Sequence, residues 1–248
     1  MAAHRGVKVR MLIDDLGTTG KDEQWQKLAS HPNIELRLFN PNTLRTSFRN
    51  LALLYNVNSL GKRMHNKSLI ADGSAAIIGG RNIGDDYFAS TAKKLFLDYD
   101  ILAIGKVVPD IYQAFDLYWN SKEAVPSEYV LDHQDTVPHL SSTKELKQEL
   151  RAYEESPAGQ AIIQSEFNRK IAQRDLQLTV AKRTKFYYDH PAKVSTDERD
   201  TRHHISAQLD KELMQVKHTL IIISPYFIPS DELMKNSKLE RERGLNII

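Results

Sequence analysis

No cysteine occurs in the 248 residues, which excludes disulfides and thiolate metal sites and leaves the cellular compartment open. Long apolar runs are absent as well. Residues 220–223 stop after four apolar side chains at Ser224-Pro225, far below the roughly 20 that a spanning helix requires, so the chain does not read as an integral membrane protein. Acidic residues are missing locally: residues 36–71 hold six basic side chains, Arg37, Arg45, Arg49, Lys62, Arg63 and Lys67, and no carboxylate, although the net charge of the chain is only +2. Such a stretch suits a phosphate-bearing or anionic-surface partner, and its bland alternative is an ordinary solvated basic face. With 41% hydrophobic residues, the chain is long enough for one large or two small domains.

The basic stretch leads into the most informative segment, residues 64–82, MHNKSLIADGSAAIIGGRN. His65 and Lys67, one residue apart, read as neighbours on one face of a short strand that closes in a two-residue hairpin turn at Asp72-Gly73. Residues 75–78 read as the return strand, ending at Gly79-Gly80-Arg81-Asn82, where paired glycines let backbone approach a ligand. A neutral imidazole that attacks phosphorus, an ammonium that holds phosphate oxygens and an amide, Asn82, at the same sheet end form a set suited to phosphoryl chemistry. By themselves a strand His and Lys are more often structural or solvated.

The longer pattern carries the specificity. HxKxxxxD followed after six residues by GGxN, with His65, Lys67, Asp72, Gly79, Gly80 and Asn82 at its fixed positions, resembles the signature of the phospholipase D superfamily. The continuation GGRNIGDDYF resembles its cardiolipin synthase branch, whereas the nuclease branch more often shows GSxN there.

Around this segment the chain reads as alternating strands and amphipathic helices. Strands are expected at residues 7–13, 34–39 and 96–104, and helices at 24–30 and 108–122, the latter carrying Ile111, Phe115 and Trp119 at four-residue steps. Residues 44–60 place Leu44, Phe48, Leu51 and Tyr55 at helical spacing beside Arg45 and Arg49, which fits a lipid-interface helix and equally a core-facing one. Asp85, Asp86 and Tyr87 read as a helix start. Asp98 and Asp100 lack a His or Glu at ligand spacing, so no metal site is expected. Residues 132–204 are polar, with helices expected at 143–155 and 157–172, and His203-His204 read as surface residues. Residues 205–216 read as a helix and 219–223 as a strand. Arg243-Gly244-Leu245-Asn246-Ile247 then repeats the pattern of Arg5-Gly6-Val7-Lys8-Val9, a helix end, glycine and strand.

The fold expected is α/β, a phospholipase D-like mixed sheet flanked by helices. Its first domain spans residues 1–131, a helical connector 132–204, and the start of a second phospholipase D-like domain 205–248. The resemblance implies a phosphatidyltransferase that makes cardiolipin from phosphatidylglycerol and a second phospholipid, phosphatidylglycerol or phosphatidylethanolamine, through a phosphatidyl-histidine intermediate. Under it His65, Lys67 and Asp72 are catalytic, Asn82, Gly79 and Gly80 bind the substrate phosphate, no metal or cofactor takes part, and the protein is peripheral at a bacterial cell membrane. A second motif is expected beyond residue 248 or from a homodimer, so residues 1–248 alone are expected to be inactive. Nucleic acid is not an expected partner, although a superfamily phosphodiesterase or nuclease and an inactive phosphate- or membrane-binding fragment remain the alternatives.

Overall fold

In the computed structural model, the described residues are 2–18, 20–41, 63–82, 98–131, 143–197, 200–222 and 231–247. They fall into two compact units, Met1–Phe186 and Tyr187–Ile248.

The first unit begins with strand β1 (Val9–Asp14), helix α1 (Asp22–Ala29) and strand β2 (Ile34–Phe39). β1 and β2 pair in parallel from Val9↔Ile34 to Asp14↔Phe39, as a strand–helix–strand connection requires, and β6 (Ala124–Pro126) adds antiparallel to β2. Alternation sorts the side chains of this sheet by face. Leu36 and Leu38 are buried with Leu131, and Met11, Ile13, Trp25 and Ala29 pack around them, so α1 covers this side. On the other face Arg10 and Arg37 meet helix α2 (Val108–Trp119): Arg10 lies 5.0 Å from the Phe115 ring and pairs with Asp116 at 2.8 Å, and Arg37 lies 4.5 Å over Trp119.

A second sheet is antiparallel throughout: β3 (Ser68–Ala71), β4 (Ala75–Gly79) and β5 (Asp100–Ile104). Its inward residues Ile70, Ala76, Ile78 and Ala103 pack with Val108 and Ile111 of α2 and with Phe186. Helix α2 therefore touches both sheets, through Val108 and Ile111 toward one and through Phe115, Tyr118 and Trp119 toward the other. The expected strands and helices of this region are present with ends shifted by a few residues. Residues 44–60, the Asp85-Asp86-Tyr87 helix start and the beginning of the 96–104 strand lie outside the described residues.

Among the described residues of the connector, one expected helix is divided. Residues 157–172, read as one helix, form two, α4 (Pro157–Ile163) and α5 (Glu166–Ala172), following α3 (Thr143–Glu155). Ser165 accounts for the break, because its hydroxyl accepts the Asn168 N–H at 3.3 Å and so caps a new helix.

In the second unit α6 (Ile205–Leu213) precedes β7 (Thr219–Leu220), and α7 (Asp231–Glu242) precedes β8 (Asn246–Ile247), which pairs in parallel with β7. His203, expected on the surface, is half-buried with its ring 4.9 Å from that of His190. The glycines matched between the two ends of the sequence share one backbone solution. Gly6 (φ 88°) and Gly244 (φ 93°) are both left-handed; Gly6 N–H and Gly244 N–H each return to the carbonyl three residues back at 3.0 Å. Val7 N–H and Leu245 N–H each return five residues back, at 3.3 and 3.0 Å, which completes a Schellman cap in both places.

Leu38 is fully buried at the centre of the first sheet. Leu38→Ala is therefore expected to lower unfolding free energy by about 2–5 kcal/mol in a urea titration, whereas the same truncation at exposed Leu69 is expected to stay within about 0.5 kcal/mol.

Candidate active site

Positioning of His65 and Lys67 begins with the hairpin that follows them. Asp72 (φ 51°) and Gly73 (φ 61°) both take left-handed backbone, and Ser74 N–H closes on the Ala71 carbonyl at 3.0 Å. The register Ala71↔Ala75 leaves three residues in the loop, one more than the two-residue turn expected. That register runs back to Ser68↔Ile78, and Gly79 N–H donates to the Lys67 carbonyl at 3.2 Å, one further rung.

His65 and Lys67 do not lie within the strand as expected; β3 starts at Ser68. Upstream of it the segment curls on itself. Lys67 Nζ donates to the His65 carbonyl at 2.8 Å, and His65 Nδ1 lies 3.3 Å from the Arg63 carbonyl. The tautomer that makes the latter bond carries its proton on Nδ1, which leaves the Nε2 lone pair available on an exposed ring. Asp72 is not brought to this pair. It sits in the hairpin loop, five residues along an extended chain from Lys67, about 16 Å at strand rise.

The other end of the hairpin supplies carboxylates. A side chain on Gly79 would collide with the Asp100 carboxylate, and one on Gly80 with that of Asp98. The two glycines therefore make room for neighbouring acids, whereas the sequence had pointed to room for a ligand. Asp100 is held by Arg81, whose Nε lies 2.7 Å from Oδ2, and Arg81 also donates to the Asp98 carbonyl at 3.2 Å. Asn82 follows in the same loop and is exposed.

Two acids act on Lys67 that sequence reasoning did not assign to the site. Desolvation of the half-buried ammonium pulls its pKa below the ordinary lysine value, and the negative charges of Asp98 and Asp14 oppose that fall. Asp98 had been weighed only as a metal ligand. Asp14 ends β1, where an acid at the close of an alternating strand was the available signal. Among the described residues no group of three or more His, Cys, Asp or Glu is placed to hold a metal ion, and no helix is long and apolar enough to cross a membrane.

The mixed α/β unit, with an exposed imidazole and a half-buried ammonium just ahead of an antiparallel hairpin, is consistent with a phospholipase D-like domain. Residues 1–119 match the family described as cardiolipin synthase, phospholipase D-like domain. Cardiolipin synthase C of Escherichia coli (strain K12) is 37% identical over 246 residues, covering 92% of this chain and 48% of the relative. An uncharacterized protein of Helicobacter pylori (strain J99) is 32% identical over 99% of this chain and 48% of its own length. The major cardiolipin synthase ClsA of Bacillus subtilis (strain 168) is 34% identical over 119 residues, 48% of this chain and 23% of that protein. The chain thus spans about half the length of the relatives that match it end to end.

Because the folded chain releases the Lys67 proton at lower pH than the unfolded chain does, burial of this ammonium costs stability below its folded pKa. The cost fades as pH rises through that pKa toward the ordinary lysine value. A 13Cε NMR titration is expected to place the Lys67 midpoint below that of exposed lysines, and Asp98→Asn is expected to lower it further. Gly80→Ala, which displaces the Asp98 carboxylate, is expected to act in the same direction. An unchanged midpoint in Asp98→Asn would remove Asp98 from the electrostatics of the site.

Proposed function

We propose that the protein to which this chain belongs is a phosphatidyltransferase that makes cardiolipin from phosphatidylglycerol and a second phospholipid. The single observation that carries the reading is the exposed His65 with Nδ1 engaged by the Arg63 carbonyl, next to the Lys67 ammonium, in a cardiolipin synthase-like domain. In this reaction Nε2 of His65 attacks the phosphodiester of one phospholipid, forming an N–P bond. The P–O bond to the leaving alcohol breaks, and that alcohol takes a proton from a second histidine. The same histidine then removes the proton from the hydroxyl of an incoming phosphatidylglycerol, whose oxygen attacks phosphorus and releases His65.

Lys67 and Asn82 stabilise the equatorial oxygens of both five-coordinate transition states, a role in which a single donor is commonly worth about 10² to 10³ in rate. Gly80 contributes to phosphate binding indirectly, by admitting the Asp98 carboxylate that favours the charged form of Lys67, and Gly79 by admitting Asp100, which holds Arg81 in the same loop. Asp72 supports the hairpin that aims the pair. The domain plan proposed with this reading is a first phospholipase D-like domain over residues 1–131, a helical connector over 132–204 and the start of a second domain over 205–248. The matching caps at Gly6 and Gly244 support the last of these. The second histidine then comes from a further copy of the motif in the full protein or from a homodimer, and the enzyme works peripherally at a membrane surface.

His65→Ala in the full-length protein is expected to abolish transfer from phosphatidylglycerol and to prevent trapping of a phosphatidyl-enzyme. Lys67→Ala is expected to lose about 10² to 10³ in rate. Turnover of single-stranded DNA with none of phosphatidylglycerol vesicles would overturn the lipid reading in favour of a nuclease, and a loss below threefold in Lys67→Ala would take Lys67 out of the chemistry.

A further inference from the structure

Asp14 sits where three separate parts of the first unit meet, and both of its carboxylate oxygens are committed. Oδ2 accepts the Met64 N–H at 3.0 Å, one residue before His65 and 50 residues away in sequence. Oδ1 accepts the Leu16 N–H at 3.0 Å and lies 3.6 Å from Nη1 of Arg63, whose side chain is nearly buried. Arg63 also donates to the Asn40 carbonyl at 3.3 Å, just past the end of β2. Its own carbonyl is the one that faces His65 Nδ1. The bond to Leu16 is a local turn that many aspartates make. The bond to Met64 is not local: Met64 N–H and the Arg63 carbonyl belong to one peptide group, so this bond, with the ion pair from the Arg63 side chain, holds the carbonyl that orients His65.

We propose that Asp14 is the positioning residue of the active site, a carboxylate that ties the segment carrying His65 and Lys67 to the ends of β1 and β2. The proposal rests on the reading of His65 as nucleophile. Two contacts from one carboxylate, a hydrogen bond to Met64 N–H and an ion pair with Arg63, transmit the rigidity of a paired strand to a segment that lies outside any strand. A displacement of the imidazole by about 1 Å is enough to cost on the order of 10² in rate. The same carboxylate has an electrostatic effect. The charged groups that act on Lys67 are Asp98, from the segment before β5, and Asp14, from β1. Arg63 shares Asp14, and Arg81 is occupied by Asp100.

The test separates geometry from charge in the full-length protein. Asp14→Asn is expected to lower kcat about 10- to 100-fold with KM within about twofold, and to move the alkaline limb of the pH–rate profile to lower pH, since a lost negative neighbour lets Lys67 give up its proton sooner. Asp14→Glu keeps the charge and displaces it by one methylene; it is expected to lower kcat while leaving the alkaline limb in place. Wild-type kcat and an unmoved limb in Asp14→Asn, beside an inactive His65→Ala, would overturn the positioning role and leave the nucleophile reading standing. An active His65→Ala would overturn the nucleophile reading, and this proposal with it. If Asp14→Asn fails to fold, Asp14→Glu decides alone: reduced kcat with an unmoved limb supports the role, and wild-type kcat removes it.

Discussion

Burial of helix α2 between two sheets is the constraint on which the described part of the first unit depends. Val108 and Ile111 close the antiparallel β3–β4–β5 sheet, and Phe115, Tyr118 and Trp119 close the far face of the β1–β2–β6 sheet. Among the described residues neither sheet has more than three strands, and a sheet that small needs an apolar cover to be stable. One helix covering both also fixes their spacing. That spacing lets an acid at the end of β1 reach a backbone N–H just ahead of β3.

The charges around the site follow from the same packing. The face of β1 and β2 turned to α2 carries Arg10 and Arg37, each satisfied on the helix: Arg10 by Asp116 and the aromatic rings, Arg37 by the Trp119 carbonyl at 2.8 Å and by the Trp119 ring. At the strand ends the pattern inverts: Asp14 on β1 pairs with Arg63 and acts with Asp98 on Lys67, and Asp100 of β5 pairs with Arg81. Lys67 thus sits in a partly desolvated place that disfavours its charge while two acids favour it. An ammonium so placed has its charge set by the balance between desolvation and these two acids.

One backbone conformation recurs in the two units. Gly6 and Gly244 occupy the same left-handed cap with the same pair of hydrogen bonds, although only the glycine and the preceding arginine are identical in the two five-residue segments. A side chain at either φ would be strained, so glycine marks the point where a helix turns into a strand in each unit.

Much of this was legible in the sequence. The alternating strand 34–39, the return strand read at 75–78, the four-residue steps of α2 and the glycine caps at Gly6 and Gly244 all depend on local periodicity or on the special freedom of glycine, which a linear reading captures. The split of residues 157–172 was readable in principle from Ser165, but a run of helix formers on both sides outweighed one cap. Tertiary structure alone decided the rest. His65 and Lys67 stand before β3 because the segment bonds to its own carbonyls and to Asp14, and Asp72 of the same motif ends far from them because the hairpin is extended. Gly79 and Gly80 face carboxylates that lie 21 and 18 residues further on, and Asp14 reaches across 50 residues. Contacts of that range depend on how sheets are paired and covered, and no local pattern of residues encodes them.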